Sequence, residues 1–190
     1  GIDDVINNMD ITNFYMPNVG TDETNYKNAM EAAKIKNITV TNPHVGDIFY
    51  ISDAKCEVMS AMKYDGVSDN NSSIVIQMNF INNSFLFMGD AENEVETSRN
   101  WNKVDVLKVG HHGSATGTTA SFLSQVMPKY AVIEVGKDNK YKLPNSKTID
   151  RINKIGSTIL RTDANCTSFL MSCDGNKIES SEVKVNLDGN

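Results

Sequence analysis

Two apolar segments that stop abruptly in chemically loaded turns constrain this chain more than any other feature. Phe85-Leu86-Phe87-Met88 runs into Gly89-Asp90, and Val106-Leu107-Lys108-Val109 runs into Gly110-His111-His112-Gly113-Ser114. Short apolar runs bounded by glycine read as buried strands. In an α/β sheet, side chains just past the C-terminal ends of such strands converge on a shared crevice. Asp90, His111 and His112 are therefore expected to meet although they stand apart in sequence. Carboxylate with imidazole suits Zn, Mn or Fe, and a metal held there would lower the pKa of a coordinated water. Each feature alone also reads as a plain turn, since Asp bonds nearby backbone N–H groups and His-His-Gly needs only permissive backbone. Two of the three histidines being adjacent after an apolar strand weighs toward a site. The third, His44, follows Pro43 in a turn and reads as a surface residue.

The remaining periodicity supports an α/β class. Ile2, Val5, Ile6 and Met9 fall at helical spacing behind Asp3 and Asp4, residues 11–16 read as a strand ending at Pro17, and Tyr26, Ala29, Met30 and Ala33 mark a second helix entered near Thr24. Short strands are expected at 38–41, 48–51 and 56–58, then a loop over 63–71. Residues 73–81 and 84–88 read as a hairpin turning at Asn82-Asn83, with Ile74, Ile76, Met78 and Phe80 on one face. Beyond Asp90, helices are expected over 91–100, 118–127 and 145–155, with strands over 104–109, 130–135, 157–161, 167–172 and 177–185. There is no internal repeat and no linker rich in Pro, Gly or Ser, so one domain over 1–190 is the economical expectation. The loop Asp69-Asn70-Asn71-Ser72-Ser73 either presents amide and hydroxyl groups to an anion or caps its own turn.

Composition adds limits. The chain has 39% hydrophobic and 22% charged residues, an ordinary globular balance, and no run approaches the roughly 18 apolar residues of a membrane helix. A net charge of −6 opposes strong non-specific binding to nucleic acid, although bound divalent ions can invert the local sign. Cys56, Cys166 and Cys173 form no C-x-x-C pair, and their odd number excludes a complete disulfide framework; packed thiols are expected. Gly1-Ile2-Asp3-Asp4 has neither a start Met nor the order of a signal peptide, so the chain reads as beginning at a cut.

In order along the chain come Asn70-Asn71-Ser72-Ser73-Ile74-Val75, residues 85–90, residues 105–114, Val135-Gly136-Lys137-Asp138-Asn139-Lys140-Tyr141 and Leu160-Arg161-Thr162-Asp163. This set resembles the second part of the metallo-β-lactamase domain of ComEC/Rec2 DNA-uptake proteins, over residues 1–178. The resemblance implies a four-layer αβ/βα sandwich, here N-terminally truncated, with a metal site at the edge between two sheets. It implies a hydrolase acting on phosphodiester (DNA) or related ester bonds, with Zn or Mn as cofactor. Asp90, His111 and His112 would be metal ligands; His111, His112 and Asn71 would serve the reaction; Ser72, Ser73 and Ser114 would bind substrate. Asn71 would stand where other superfamily members carry a ligand histidine. Two departures accompany the likeness. The family's H-x-[HD]-x-D-H motif is absent, and Lys142-Leu143-Pro144-Asn145 replaces the usual Gly-His-Pro-His. The fragment is therefore expected to hold metal weakly or not at all and to lack efficient catalysis, and a degenerate fold acting as a binding or assembly module is the alternative. The resemblance also favours an extracytoplasmic or membrane-associated parent, and missing strands would leave a sheet edge free for dimerisation.

Overall fold

A computed structural model describes residues 1–17, 19, 23–63, 69–164 and 167–184; Cys166 lies outside them. Its centre is a seven-stranded sheet in the order β3(Ile48–Ile51), β4(Ala54–Ser60), β5(Val75–Phe80), β6(Asn83–Phe87), β7(Val106–Lys108), β8(Tyr130–Ile133), β9(Thr158–Arg161). Strands β3 to β6 pair antiparallel, and β6 to β9 pair parallel. The parallel half needs crossover connections, and each carries a helix: α3(Asn93–Thr97), α4(Ala120–Val126) and α5(Ser146–Lys154).

These helices close one face. Leu86, Leu107, Ala131 and Ile133 share a core with Val95, Phe122, Leu123, Val126 and Ile152, all fully buried. Trp101 packs edge-on to Phe122 at 5.4 Å, and its indole N–H donates to the Glu96 carbonyl at 2.8 Å. Glu96 is itself buried, and its carboxylate accepts from the backbone N–H groups of Thr118 and Thr119 and from the Thr119 hydroxyl. Those bonds tie α3 to the start of α4 and satisfy donors that would otherwise be orphaned at a helix N-terminus.

The alternate residues point to the other face. There Met78, Phe85, Phe87, Val106 and Val132 form a groove of about 250 Å³ with Phe169 and Met171. The last two belong to the antiparallel hairpin of β10(Thr167–Cys173) and β11(Ile178–Lys184). At the N-terminus, α1(Ile2–Asn8) and α2(Thr24–Ile35) pack through Ile6, Ala29 and Ala32 on Phe14, Met16 and Ile38, beside the parallel pair β1(Phe14–Tyr15) and β2(Val40–Thr41). Tyr15 stacks on Phe49 at 5.2 Å. Among the described residues, no helix is long and apolar enough to cross a membrane.

Several expectations need correction. The strand over 11–16 shrinks to β1, and the helix over 91–100 shrinks to α3, because residues 90–92 belong to the strand-end turn. The β5–β6 hairpin turns at Ile81-Asn82, not Asn82-Asn83, since Phe80 pairs with Asn83. Ile81 takes a φ of 53°, unusual for a β-branched residue. Tertiary contacts hold it there: Asn82 N–H donates to the Gly175 carbonyl at 2.9 Å, and the Asn82 amide reaches Asn176 at 2.8 Å. A Cβ on Gly175 would lie 2.4 Å from Ile81 Cδ1, so only glycine lets the two turns meet. Cys56 is free and buried, which pushes its thiol pKa up, and the Cys173 thiol donates to Asn83 Oδ1 at 3.0 Å.

Candidate metal and active site

The turn after β6 sets Asp90. Gly89 has a φ of +58°, and a Cβ there would come within 2.9 Å of Ser73. Glycine is required on both counts. The Ser73 hydroxyl then accepts from the Asp90 N–H at 2.9 Å, so Ser73 spends its acceptor on placing the carboxylate.

The turn after β7 sets the histidines. His111 and His112 both lie in the left-handed region, with φ of 45° and 50°. Two consecutive non-glycine residues there store strain that the surroundings must hold. His111 N–H donates to the Gly89 carbonyl at 3.1 Å, and a Cβ on Gly110 would sit 2.6 Å from the Ala91 carbonyl oxygen. The two strand-end turns are thus bonded to each other, and His111 and His112 face different partners.

His112 Nδ1 lies 2.5 Å from the Glu134 carbonyl oxygen. A carbonyl only accepts, so Nδ1 carries the proton and Nε2 is the nitrogen turned to Asp90 Oδ1, 3.4 Å away. Both groups are partly exposed, the His112 side chain by 44% and Asp90 by 40%. Lys108, whose ammonium contacts the Gly89 and Val109 carbonyls at 3.4 Å, adds a cation behind the turn.

His111 Nδ1 lies 2.9 Å from Glu92 Oε1. The same carboxylate accepts from the Thr116 hydroxyl at 2.7 Å and the Asn70 amide at 3.2 Å. Burial raises the Glu92 pKa, but the bonds from Thr116, Asn70 and His111 outweigh it and hold the carboxyl below the usual glutamate range. With Thr116 donating to Glu92, the Ser114 hydroxyl at 2.9 Å must donate to Thr116. Ser114 is therefore the outer end of a chain that orients His111. Asn71 Oδ1 accepts from Glu92 N–H at 3.0 Å, and its amide donates to Glu94 at 3.0 Å. Ser72 is 1% exposed, and its hydroxyl has no hydrogen-bond partner among the described residues.

The two strand-end turns lie side by side, so Asp90 and His112 meet, while His111 turns instead to Glu92. Asn71, Ser73 and Ser114 lie around them, engaged with the protein itself, and Ser72 lies beneath the surface. Glu92, Thr116 and the Glu134 carbonyl are not singled out by the sequence, and Asn70 only as part of its loop. Glu92 was findable, being the next acidic residue after Gly-Asp, but helix periodicity over 91–100 absorbed it. At the site's rim, Asn145 N–H donates to the Gly113 carbonyl at 2.9 Å, while the Asn145 side chain caps α5 by accepting from Lys147 N–H at 3.0 Å. Leu143 joins Pro144 through a cis peptide bond.

The donor set fits a divalent metal in part. Ligands bound at about 2.1 Å around a tetrahedral ion stand roughly 3.4 Å apart, the separation of Asp90 Oδ1 and His112 Nε2. A histidine ligand also needs its second nitrogen bonded elsewhere, as Glu134 provides. Yet no group of three or more His, Cys, Asp or Glu able to hold an ion occurs among the described residues.

Comparison with known proteins bears on the fold and the family resemblance. Residues 56–136 match the family described as the metallo-beta-lactamase superfamily. ComE operon protein 3 of Bacillus subtilis is 37% identical over 73% of this chain and 18% of its own length. Recombination protein 2 of Haemophilus influenzae is 42% identical over 50% of this chain and 12% of its own. Competence protein ComA of Neisseria gonorrhoeae is 32% identical over 56% and 16%. The chain thus spans less than a fifth of each of these relatives. Among solved structures, a CmlA beta-hydroxylase mutant superposes with a TM-score of 0.52 at 13% identity, over 78% of this chain and 38% of that one, which shows the fold. The strand order and these matches together show a metallo-β-lactamase fold, similar in sequence to the ComEC/Rec2 competence proteins.

Proposed function

We propose that this chain supplies the carboxylate–imidazole part of a metal-dependent hydrolase site that acts on phosphodiester bonds of DNA or on related esters. The observation that carries the reading is the Asp90–His112 pair, 3.4 Å apart, with the imidazole held by Glu134 so that Nε2 faces the carboxylate. The names of the relatives, which speak of competence and recombination, favour a nucleic-acid substrate. A divalent ion, Zn or Mn, would supply Lewis acidity at such a site. Asp90 and His112 would hold it. His111, oriented through Nδ1 by Glu92, would present Nε2 to bind the ion or hold a proton at the leaving oxygen. Asn71 and Ser73 would position Glu92 and Asp90, and Ser114 would support Thr116. Two donors are too few, so the reading concerns a longer chain in which an H-x-[HD]-x-D-H segment adds ligands. The 190-residue chain alone is expected to bind metal weakly and to be inactive.

The test measures metal content and Mn-dependent hydrolysis of bis(p-nitrophenyl) phosphate for this chain beside a form extended through such a segment. Metal and activity in the extended form, lost in Asp90→Asn and His112→Gln, support the proposal. A folded extended form without metal would sink it and leave the second reading, a binding or assembly module. That reading draws on Asn145, which serves as a helix cap where the family pattern carries histidine. We also propose self-association along β3, an edge strand on which Ile48, Tyr50 and Ile51 are exposed; a monomer by light scattering at high concentration would reject it.

A further inference from the structure

The loop between β8 and α5 rises beside the histidine turn and differs in charge from the rest of the molecule. The loop and the first turn of α5, residues 136–147, hold Lys137, Lys140, Lys142 and Lys147 against one carboxylate, Asp138, in a chain of net charge −6. All four lysines are exposed. Tyr141 stands among them 70% exposed, with the Lys140 ammonium 4.8 Å from its ring centroid. The nearest flanking acids in sequence are Glu134 and Asp150.

The loop is built rather than slack. The Asn139 amide donates to the carbonyls of Gly136 at 3.0 Å and Leu143 at 2.7 Å, while its oxygen accepts from Leu143 N–H at 3.0 Å. Lys142 is held at a φ of 56°, a conformation costly for a long side chain and free for glycine. Among the described residues no hydrogen bond or ion pair engages the Lys142 ammonium, which leaves it open to an anion from solution. Both ends of the loop grip the site. Glu134, just before it, binds His112, and Asn145, near its end, bonds Gly113. Pro144 also touches Gly113, where an added Cβ would approach to 2.6 Å.

We propose that this loop is the binding platform for a single-stranded nucleic acid, with the four lysines on successive phosphates and Tyr141 stacked on an unpaired base. Cations clustered on a hydrogen-bonded loop beside an exposed aromatic ring suit tracking a strand without reading its sequence. A base inside a duplex cannot reach Tyr141, so the platform selects single strands. This rests on the phosphodiester reading for its substrate, but it is tested by binding alone.

The experiment measures fluorescence anisotropy of a labelled oligothymidylate with the 190-residue chain in EDTA, across a salt series. Four phosphate contacts give a log–log salt slope of about −2.8, reduced by about 0.7 for each lysine changed to glutamine. Tyr141→Ala weakens binding at least about fivefold, the lower end for loss of one stacked base. Lys34→Gln, an equal charge change on α2, leaves binding unaltered, and a duplex of the same length binds more weakly. Binding that is absent, indifferent to Lys140→Gln/Lys142→Gln, or equal for duplex overturns the proposal. So does equal binding of phosphatidylglycerol vesicles without dependence on Tyr141, which would indicate a membrane surface. Loop-dependent binding by a chain whose extended form never hydrolyses phosphodiesters upholds the platform and removes the hydrolase.

Discussion

The two faces of the seven-stranded sheet are made by the same strands and differ sharply in closure. Leu86 is 1% exposed on the helix-covered face, while its neighbour Phe87 is 38% exposed on the other. Both faces are apolar, so hydrophobicity does not explain the contrast. On the first face, α3, α4 and α5 lie in sequence between the strands they cover, so each crossover brings its own lid. The second face depends on β10 and β11, arriving from the chain's far end, and Phe169 and Met171 cover it only in part. The histidine turn stands at the strand ends between these two regions, joined to the tight face by Glu92 and Thr116 and to solvent by His112.

The largest effect that would break this comparison lies in the core. Leu107→Ala, at a fully buried position, should cost about 3 kcal/mol, whereas Phe87→Ala should cost about 1 kcal/mol because much of that ring already meets water. Urea denaturation of both reads the difference, and equal losses would mean that the second face is sealed. Next comes Glu96→Ala, which strips acceptors from Thr118 and Thr119 beneath the helices. It should cost about 2 kcal/mol, and a neutral result would show that water replaces the carboxylate on the helix-covered face. Gly89→Ala, at the strand end, should cost about 1–2 kcal/mol through its positive φ and its clash with Ser73. Thermal melts check it, and Ser73→Gly in the same background should restore part of the loss.

The smallest effect sits at β9, where neither face contributes. Arg161 donates to Asp163 at 2.6 Å and 3.0 Å, which holds the Asp163 carboxyl below the usual aspartate range. A depressed carboxylate stabilises the fold above its unfolded pKa, and that stability is lost as pH falls through the lower folded pKa. Arg161 is 34% exposed, so screening limits the contribution to about 1 kcal/mol or less. Asp163→Asn should flatten the acid limb of a stability–pH profile by that amount, and an unchanged limb would remove the pair from the account.

Much of this architecture was legible in the chain. The runs at 85–88 and 106–109 announced buried strands, and the glycines after them announced turns bearing Asp90, His111 and His112. Helix α5 was legible from Asn145 to Gly156 because capping and stop signals are local. The hairpin turn was misplaced by one residue because Ile81 is held at positive φ by Gly175, far along the chain, and no local propensity predicts that. Glu92 was missed because its role depends on Asn70, Thr116 and His111, three residues from three separate segments.

The sequence by itself determined the α/β alternation, the strand-end placement of the carboxylate and imidazoles, and the absence of the H-x-[HD]-x-D-H motif. These are encoded within a few residues, where side-chain periodicity and turn chemistry act. Only the tertiary structure decided that His112 faces Asp90 while His111 faces Glu92, that Ser73 and Ser114 are engaged with the protein, and that one apolar face stays partly open. Hydrogen-bond partners and lids come from distant segments, and their geometry exists only once the sheet has brought those segments together.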